Sequence, residues 1–373
     1  MNYPMDRANR LTVAGTVLAG IIVALIMAAA LLAWHTPPAE AHSCTGVQIN
    51  PGQDLDAIIN NDPSTRATTF CVHAPSSGAT YTINNSVILR SGDKLLGEPG
   101  QVITRGPAST PGAPPVKIRD GSSGLENIVE LRGSNVVLRW VDIAGGVKGI
   151  DGYGATPSAR LEYLAIHDNT RLGIANMPGK LLHSNLYNNG TNPADWGWAA
   201  AAVKGVDEYE AAYNYVHDNP ANGLWCDHRC SDAGAAMPNG FWVHHNLLVK
   251  NGRWGARYEY SPIVASGVHA SQPTALIESN EIHANGFKGS SFGGASMWDA
   301  QNATFRNNFF GAKTIAGVSY ATNNNRRAIL FQDSGRADRT DLWNGDAVGN
   351  SLGGEAIINC GKPDNVVYCA NNR

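Results

Sequence analysis

Beyond residue 62, apolar residues come in runs of two to four, alternate with polar ones, and stop at Asn or Gly. Ala275-Leu-Ile277, Phe241-Trp-Val243 and Leu161-Glu-Tyr163-Leu show the pattern, while helical spacing at i, i+3, i+4 is almost absent. Such runs predict short strands separated by turns. A longer phrase, Asn-x-apolar-x-x-Asn, is superimposed on them. It reads Asn214-Tyr-Val216-His-Asp-Asn219, Asn246-Leu-Leu248-Val-Lys-Asn251 and Asn280-Glu-Ile282-His-Ala-Asn285, with weaker copies at Leu164–Asn169, Asn185–Asn189 and Asn307–Ala312. The starts at 164, 185, 214, 246, 280 and 307 lie 21 to 34 residues apart. A period of that length marks stacked supersecondary units that cannot bury their apolar faces alone. No unit offers the helix that an α/β solenoid needs, and propeller blades repeat at about 40–45 residues. Coils of short strands, stacked at roughly 4.8 Å, fit instead.

Stacking places Asn219, Asn251 and Asn285 above one another, where their amides bond along the axis as a ladder. Asn-Gly pairs close the phrases at Asn189-Gly190, Asn251-Gly252 and Asn285-Gly286. Both residue types tolerate the left-handed backbone of a sharp bend. Counted from the turn Asn, Trp225 and Asp227 fall 6 and 8 residues after Asn219, and Arg257 and Glu259 fall 6 and 8 after Asn251. Leu224, Cys226, Ala256 and Tyr258 are the alternate set. With the apolar set inside, strand alternation sends Trp225, Asp227, Arg257 and Glu259 outward. Trp225 then stacks on Arg257 and Asp227 on Glu259. Lys204 closes the matching strand of the preceding coil, and Trp298 and Asp299 extend the row into the next one.

These features resemble the right-handed parallel β-helix family of pectate-lyase-like proteins, over about residues 45–355. The opening Gly46-Val-Gln-Ile-Asn-Pro-Gly-Gln-Asp-Leu55-Asp-Ala-Ile58-Ile59 is similar to the start of that fold, with a short apolar helix as a plug over the first coil. Trp225-Cys-Asp227-His228 looks like the Trp-Ile-Asp-His segment of pectate lyases, but their catalytic Arg-x-Pro-x-x-Arg segment is absent, so their calcium mechanism does not carry over. The chain is also similar to exported bacterial β-helix proteins, through Lys204, Asn214–Asn219, Gly223-Leu-Trp225-Cys-Asp227 and Tyr258-Glu-Tyr260-Ser261. Tyr260 stands where that group has an aliphatic residue.

The N-terminus changes the picture. Arg7 and Arg10 precede the uncharged stretch 11–34, and Ala39-Glu-Ala41 follows as an A-x-A site. Residues 1–42 read as a signal peptide or signal anchor, leaving 43–373 as one β-helix domain outside the cell. Membrane contact is expected only through that segment if uncleaved, and the domain is expected as a monomer. Six cysteines follow it, an even number suited to an oxidising compartment. Pairing by proximity gives Cys44–Cys71, Cys226–Cys230 and Cys360–Cys369. Net charge is -3, with no basic stripe in the sequence, which argues against nucleic acid as partner.

The outward row determines the expected chemistry. Adjacent carboxylates, a lysine, an arginine and a tryptophan on one wall suit an extracellular, uronate-containing polysaccharide. For a lyase or epimerase, Lys204 or another basic residue takes the C5 proton and Arg257 holds the sugar carboxylate. Hydrolysis would use Asp227 and Glu259. Trp225, Tyr260, Trp298 and Asp299 are the candidate sugar contacts, and His228, beside Asp227, is a further candidate base. No cofactor is expected, with calcium the one ion considered. The alternative is a non-catalytic glycan-binding or structural surface protein whose charges pair with their neighbours. His167, His217 and His283 recur two residues before the turn Asn and read as structural. Asp207, Glu208 and Glu210 read as a solvated turn.

Overall fold

The short apolar runs form strands of three to six residues, and every third strand along the chain pairs in parallel with its counterpart in the next coil. The computed structural model describes residues 44–75, 80–99, 114–122, 124–153, 155, 158–177, 179–195, 199–206, 208–227, 240–259, 275–332, 343–360 and 367–373. The expected signal or anchor segment, 1–42, lies outside the described residues, as do Asp207, His228, Cys230 and Tyr260. Among the described residues no helix is long and apolar enough to cross a membrane.

Four successive coils show the construction. Gly179–Leu182, Tyr209–Ala212, Phe241–His244 and Ala275–Glu278 are neighbours in one sheet. Asn185–Tyr187, Tyr215–His217, Leu247–Val249 and Glu281–His283 build the second, and Ala201–Gly205, Asn222–Asp227, Ala256–Glu259 and Ala295–Trp298 the third. Among the described residues these sheets reach twelve, eight and ten strands, and they form a parallel β-helix. Inside it, like positions stack: Val203, Leu224, Ala256, Ala295 and Ile329 are buried in one column of a continuous core.

Two Asn ladders fix the register. Asn169, Asn189, Asn219, Asn251, Asn285 and Asn323 pass amide hydrogen bonds of 2.9–3.2 Å from coil to coil. The last amide donates to Glu355 at 2.9 Å. Asn214, Asn246, Asn280, Asn308, Asn350 and Asn372 form the second ladder, at 2.9–3.0 Å. Its first neighbour upstream is Ser184, whose N–H donates to Asn214 Oδ1 at 2.9 Å. The weaker copies at 185 and 307 are therefore each shifted by one residue. The ladder positions there are Ser184 and Asn308.

Left-handed backbone falls on Gly190 and Gly286 as expected, though not on Gly252. It also falls on the corner residues Trp140, Tyr163, His183, Tyr213 and His245, with φ from 50° to 59°, the last two immediately before the ladder residues Asn214 and Asn246. Asp168, Asn188, Asp218, Lys250 and Ala284 hold the other corner, with φ from 50° to 54°. Non-glycine residues adopt this region at a cost, so the ladder must hold them there. At the first corner the rings stack on one another with centroids 5.1–5.5 Å apart, adding aromatic contact along the axis.

A short helix, Leu55–Asn60, starts at Asp54, whose carboxylate accepts from Ala57 N. Leu55 and Ile59 enter the core, and Asn60 Nδ2 donates to Ser86 O at 2.9 Å. Disulfides join Cys44 to Cys71 and Cys360 to Cys369. Cys226 is also disulfide-bonded, and its partner lies outside the described residues. Glu208 and Glu210 are not part of a solvated charge run. Both are buried, and Glu210 pairs with Lys180 at 2.6 Å and His244 at 3.1 Å.

The ladders make a stability prediction. Asn251→Ala removes a mid-ladder amide and leaves buried partners unsatisfied, so urea unfolding should show a loss of ~3 kcal/mol. Asn372→Ala, at the half-buried end, should cost less than about 1 kcal/mol. Equal losses at the two positions would contradict a ladder that carries the register.

Candidate functional site

The outward row lies on the ten-stranded sheet. The register pairs Ala175 with Lys204, Lys204 with Trp225, Trp225 with Arg257, and Arg257 with Ser296. Two residues further, Asp227 pairs with Glu259 and Glu259 with Trp298. Leu224, Cys226, Ala256 and Tyr258 belong to the core, whereas Trp225 groups with Leu172, Ala175 and Ala201 outside it. The predicted alternation is therefore the one observed, and Lys204, Trp225, Asp227, Arg257, Glu259 and Trp298 share one wall.

Cations and indoles alternate along that wall. Lys204 Nζ lies 4.2 Å from the Trp225 ring centre, and Arg257 Cζ lies 4.8 Å from it. Arg257 also packs 4.6 Å from the Trp298 ring centre. Each contact falls within the range where a ring face attracts a cation. Carboxylates hold the same cations from the side: Lys204 Nζ to Asp227 Oδ2 at 2.8 Å, Arg257 Nη2 to Glu259 Oε2 at 2.6 Å.

Burial then divides the residues into two groups. Trp225 is 2% exposed, Arg257 3% and Glu259 6%. Trp225 is thus no open plate for a sugar, since cations from the coils on either side cover its ring. Arg257, expected to grip a sugar carboxylate, is locked between two indoles and Glu259. The side chain of Asp227 keeps 26% exposure and that of Lys204 16%, so this pair is the accessible one. Asp299 is fully buried in the left-handed turn after Trp298.

One feature was hidden from the sequence. The edge where strands of this sheet begin carries Arg171, just before Leu172–Ala175, then Arg253, and Arg326 and Arg327 at the start of Arg327–Gln332. Lys288 joins them through its N–H bond to Gly252 O. Arg253 packs 4.3 Å from the Phe292 ring centre. Burial, and then the nearby Arg257 guanidinium, push Arg253 down to about 10. These cations are scattered along the sequence, so no local spacing announces them. Winding the chain brings Arg171, Arg253 and Arg326 to one edge of the sheet, with Arg253 near Arg257, in a protein whose net charge is -3.

The recurring histidines are structural, as their register implied. His167 bonds Asp142 at 2.9 Å and Asp168 at 2.6 Å. His217 bonds Asp218 and Asn185, and the fully buried His283 bonds Gly311 O and Glu281. Among the described residues no three His, Cys, Asp or Glu side chains come together as a metal-holding group, so none is offered for calcium.

No family model matches the chain, and no curated protein is similar to it in sequence. Solved structures similar to it include the A-modules of two mannuronan C-5 epimerases of Azotobacter vinelandii. AlgE4 is 13% identical, over 85% of this chain and 91% of that one, at TM-score 0.42. AlgE6 is 12% identical, over 85% and 93%, at TM-score 0.40. An alginate lyase from Paenibacillus sp. str. FPU-7 is 12% identical, over 87% and 99%, at TM-score 0.27. At such values these likenesses carry no argument about activity.

Two predictions follow from the burial pattern. Glu259→Gln leaves buried Arg257 without its counter-charge and should cost ~3 kcal/mol in thermal denaturation. Asp227→Asn touches the more accessible pair and should cost less than about 1 kcal/mol. Equal losses would show the two pairs to be alike. For His167, burial disfavours the charged form, but Asp142 and then Asp168 outweigh it, so its pKa is raised above 6.5. A raised folded value stabilises fully below the unfolded one and is lost as pH climbs through the folded one. Stability should therefore fall as pH rises above 6.5, and the decline should disappear in His167→Asn.

Proposed function

We propose that this β-helix binds an acidic, uronate-containing polysaccharide along the cation-edged wall of its ten-stranded sheet and acts on it as a lyase or epimerase. The observation that carries this reading is the Lys204–Asp227 pair, 2.8 Å long and partly accessible, with Lys204 two rungs from the buried Arg257. The edge cations Arg171, Arg253 and Arg326 suit the carboxylates of such a polymer. Export of the domain belongs to the same proposal, and the disulfides support it.

The pair can run an elimination with its protons balanced. Transfer of one proton from the Lys204 ammonium to Asp227 leaves a neutral amine and a protonated carboxyl. The amine takes the C5 proton of the uronate. The C4–O4 bond breaks as the C4=C5 bond forms, and Asp227 gives its proton to the departing O4. Lys204 ends as ammonium and Asp227 as carboxylate, so the ion pair is restored. Epimerisation shares the first proton transfer and returns a proton to the other face of C5. Hydrolysis is less well supported, because Glu259 is buried against Arg257, whereas a glycosidase needs both carboxyls at the scissile bond.

A non-catalytic glycan-binding face is the second reading, favoured by the pairing of Lys204 with Asp227 and of Arg257 with Glu259. A panel of polyuronates and neutral glycans separates the two. Elimination predicts ultraviolet absorbance from the new double bond, and epimerisation predicts exchange of the C5 proton in deuterated water. Asp227→Asn should reduce either signal about 100-fold or more while the protein stays folded. Polyuronate binding without either signal would establish the second reading. No polyuronate binding, or equal affinity for a single-stranded oligonucleotide, would defeat both.

A further inference from the structure

The same wall continues toward the N-terminal coils. Asp151, Ala175 and Lys204 occupy one position in three successive coils, so Asp151 stands two rungs from Lys204, or roughly 10 Å. Between them stands the small side chain of Ala175, which groups with Leu172, Ala201 and Trp225. Tyr153 follows Asp151 and is 81% exposed, the most open of the large apolar side chains described. Its backbone is nonetheless anchored. Tyr153 N–H donates to Asp151 Oδ1 at 3.0 Å, and Asp151 is held in turn by Lys148 Nζ at 2.9 Å and Asn176 Nδ2 at 2.8 Å. A fixed backbone thus presents an uncovered ring two residues beyond Asp151, on the coil two rungs from Lys204. Trp225, which might have served as the aromatic platform, has both sides taken by cations.

We propose that Tyr153 is a stacking subsite for a sugar residue of the same chain whose reacting unit lies at Lys204 and Asp227. The proposal rests on the acidic-glycan reading above. An open ring face suits the apolar face of a pyranose, and the two-rung offset places that sugar away from the reacting one. Tyr153 is accordingly a positioning residue, and it matters only for oligomers long enough to reach it.

The test measures affinity of the purified protein for a series of oligouronates of increasing length. Tyr153→Ala should weaken binding of the longer oligomers about fivefold and leave the shortest bound ones unchanged. Tyr153→Phe should bind as the original does, because the ring and not the hydroxyl makes the contact. Tyr368→Ala removes another exposed tyrosine, 60% exposed on the twelve-stranded sheet, and should change nothing. If Tyr153→Ala binds every length as tightly as the original, the subsite is refuted while the glycan reading survives. If the original protein binds no oligouronate, the glycan reading fails and the subsite with it.

Discussion

The amide ladder is the constraint on which the remainder depends. A side-chain period of two means that a slip of one residue between coils would turn every outward side chain inward. Hydrogen bonds between neighbouring strands do not by themselves forbid such a slip. A buried Asn in each coil does, because its amide must meet the next amide or go unpaired in the core. From Asn214 onward, two ladders at two corners hold successive coils at two points. They also hold the corner residues Tyr213 and His245 in a backbone region that such side chains avoid when free.

Given that register, the chemistry of the outer wall follows from stacking. Lys204, Trp225 and Arg257 stand one rung apart, and like charges at that spacing would repel if adjacent. Trp225 separates the two cations and offers each a ring face. Arg257 is buried and locked, while Lys204 and Asp227 remain within reach of solvent. A buried, fixed cation next to an accessible ion pair is an arrangement that favours negative charge forming nearby. Charge of that kind develops on a uronate when its C5 proton is removed.

The coil period, the apolar columns and the first ladder were legible in the sequence, because Asn recurs at fixed offsets from Val216, Leu248 and Ile282. Counting onward from those Asn residues aligned Trp225 with Arg257 and Asp227 with Glu259, and the coordinates agree. The depth of the row was not legible. Alternation gives direction, not cover, so Arg257 and Glu259 looked like accessible charges. Glu210 was misread for the same reason, since its partners Lys180 and His244 come from the coils on either side. The arginine edge was hidden by unequal coil lengths, which place Arg171, Arg253 and Arg327 at no common spacing. Tyr153 carried no sequence signal, because openness belongs to the folded surface.

The most direct measurement is a crystal structure of the protein with an oligouronate bound. The account predicts sugar density along the ten-stranded sheet, with one uronate within hydrogen-bond reach of Lys204 and Asp227. Sugar bound to another sheet, or at a site that leaves that pair untouched, would contradict it.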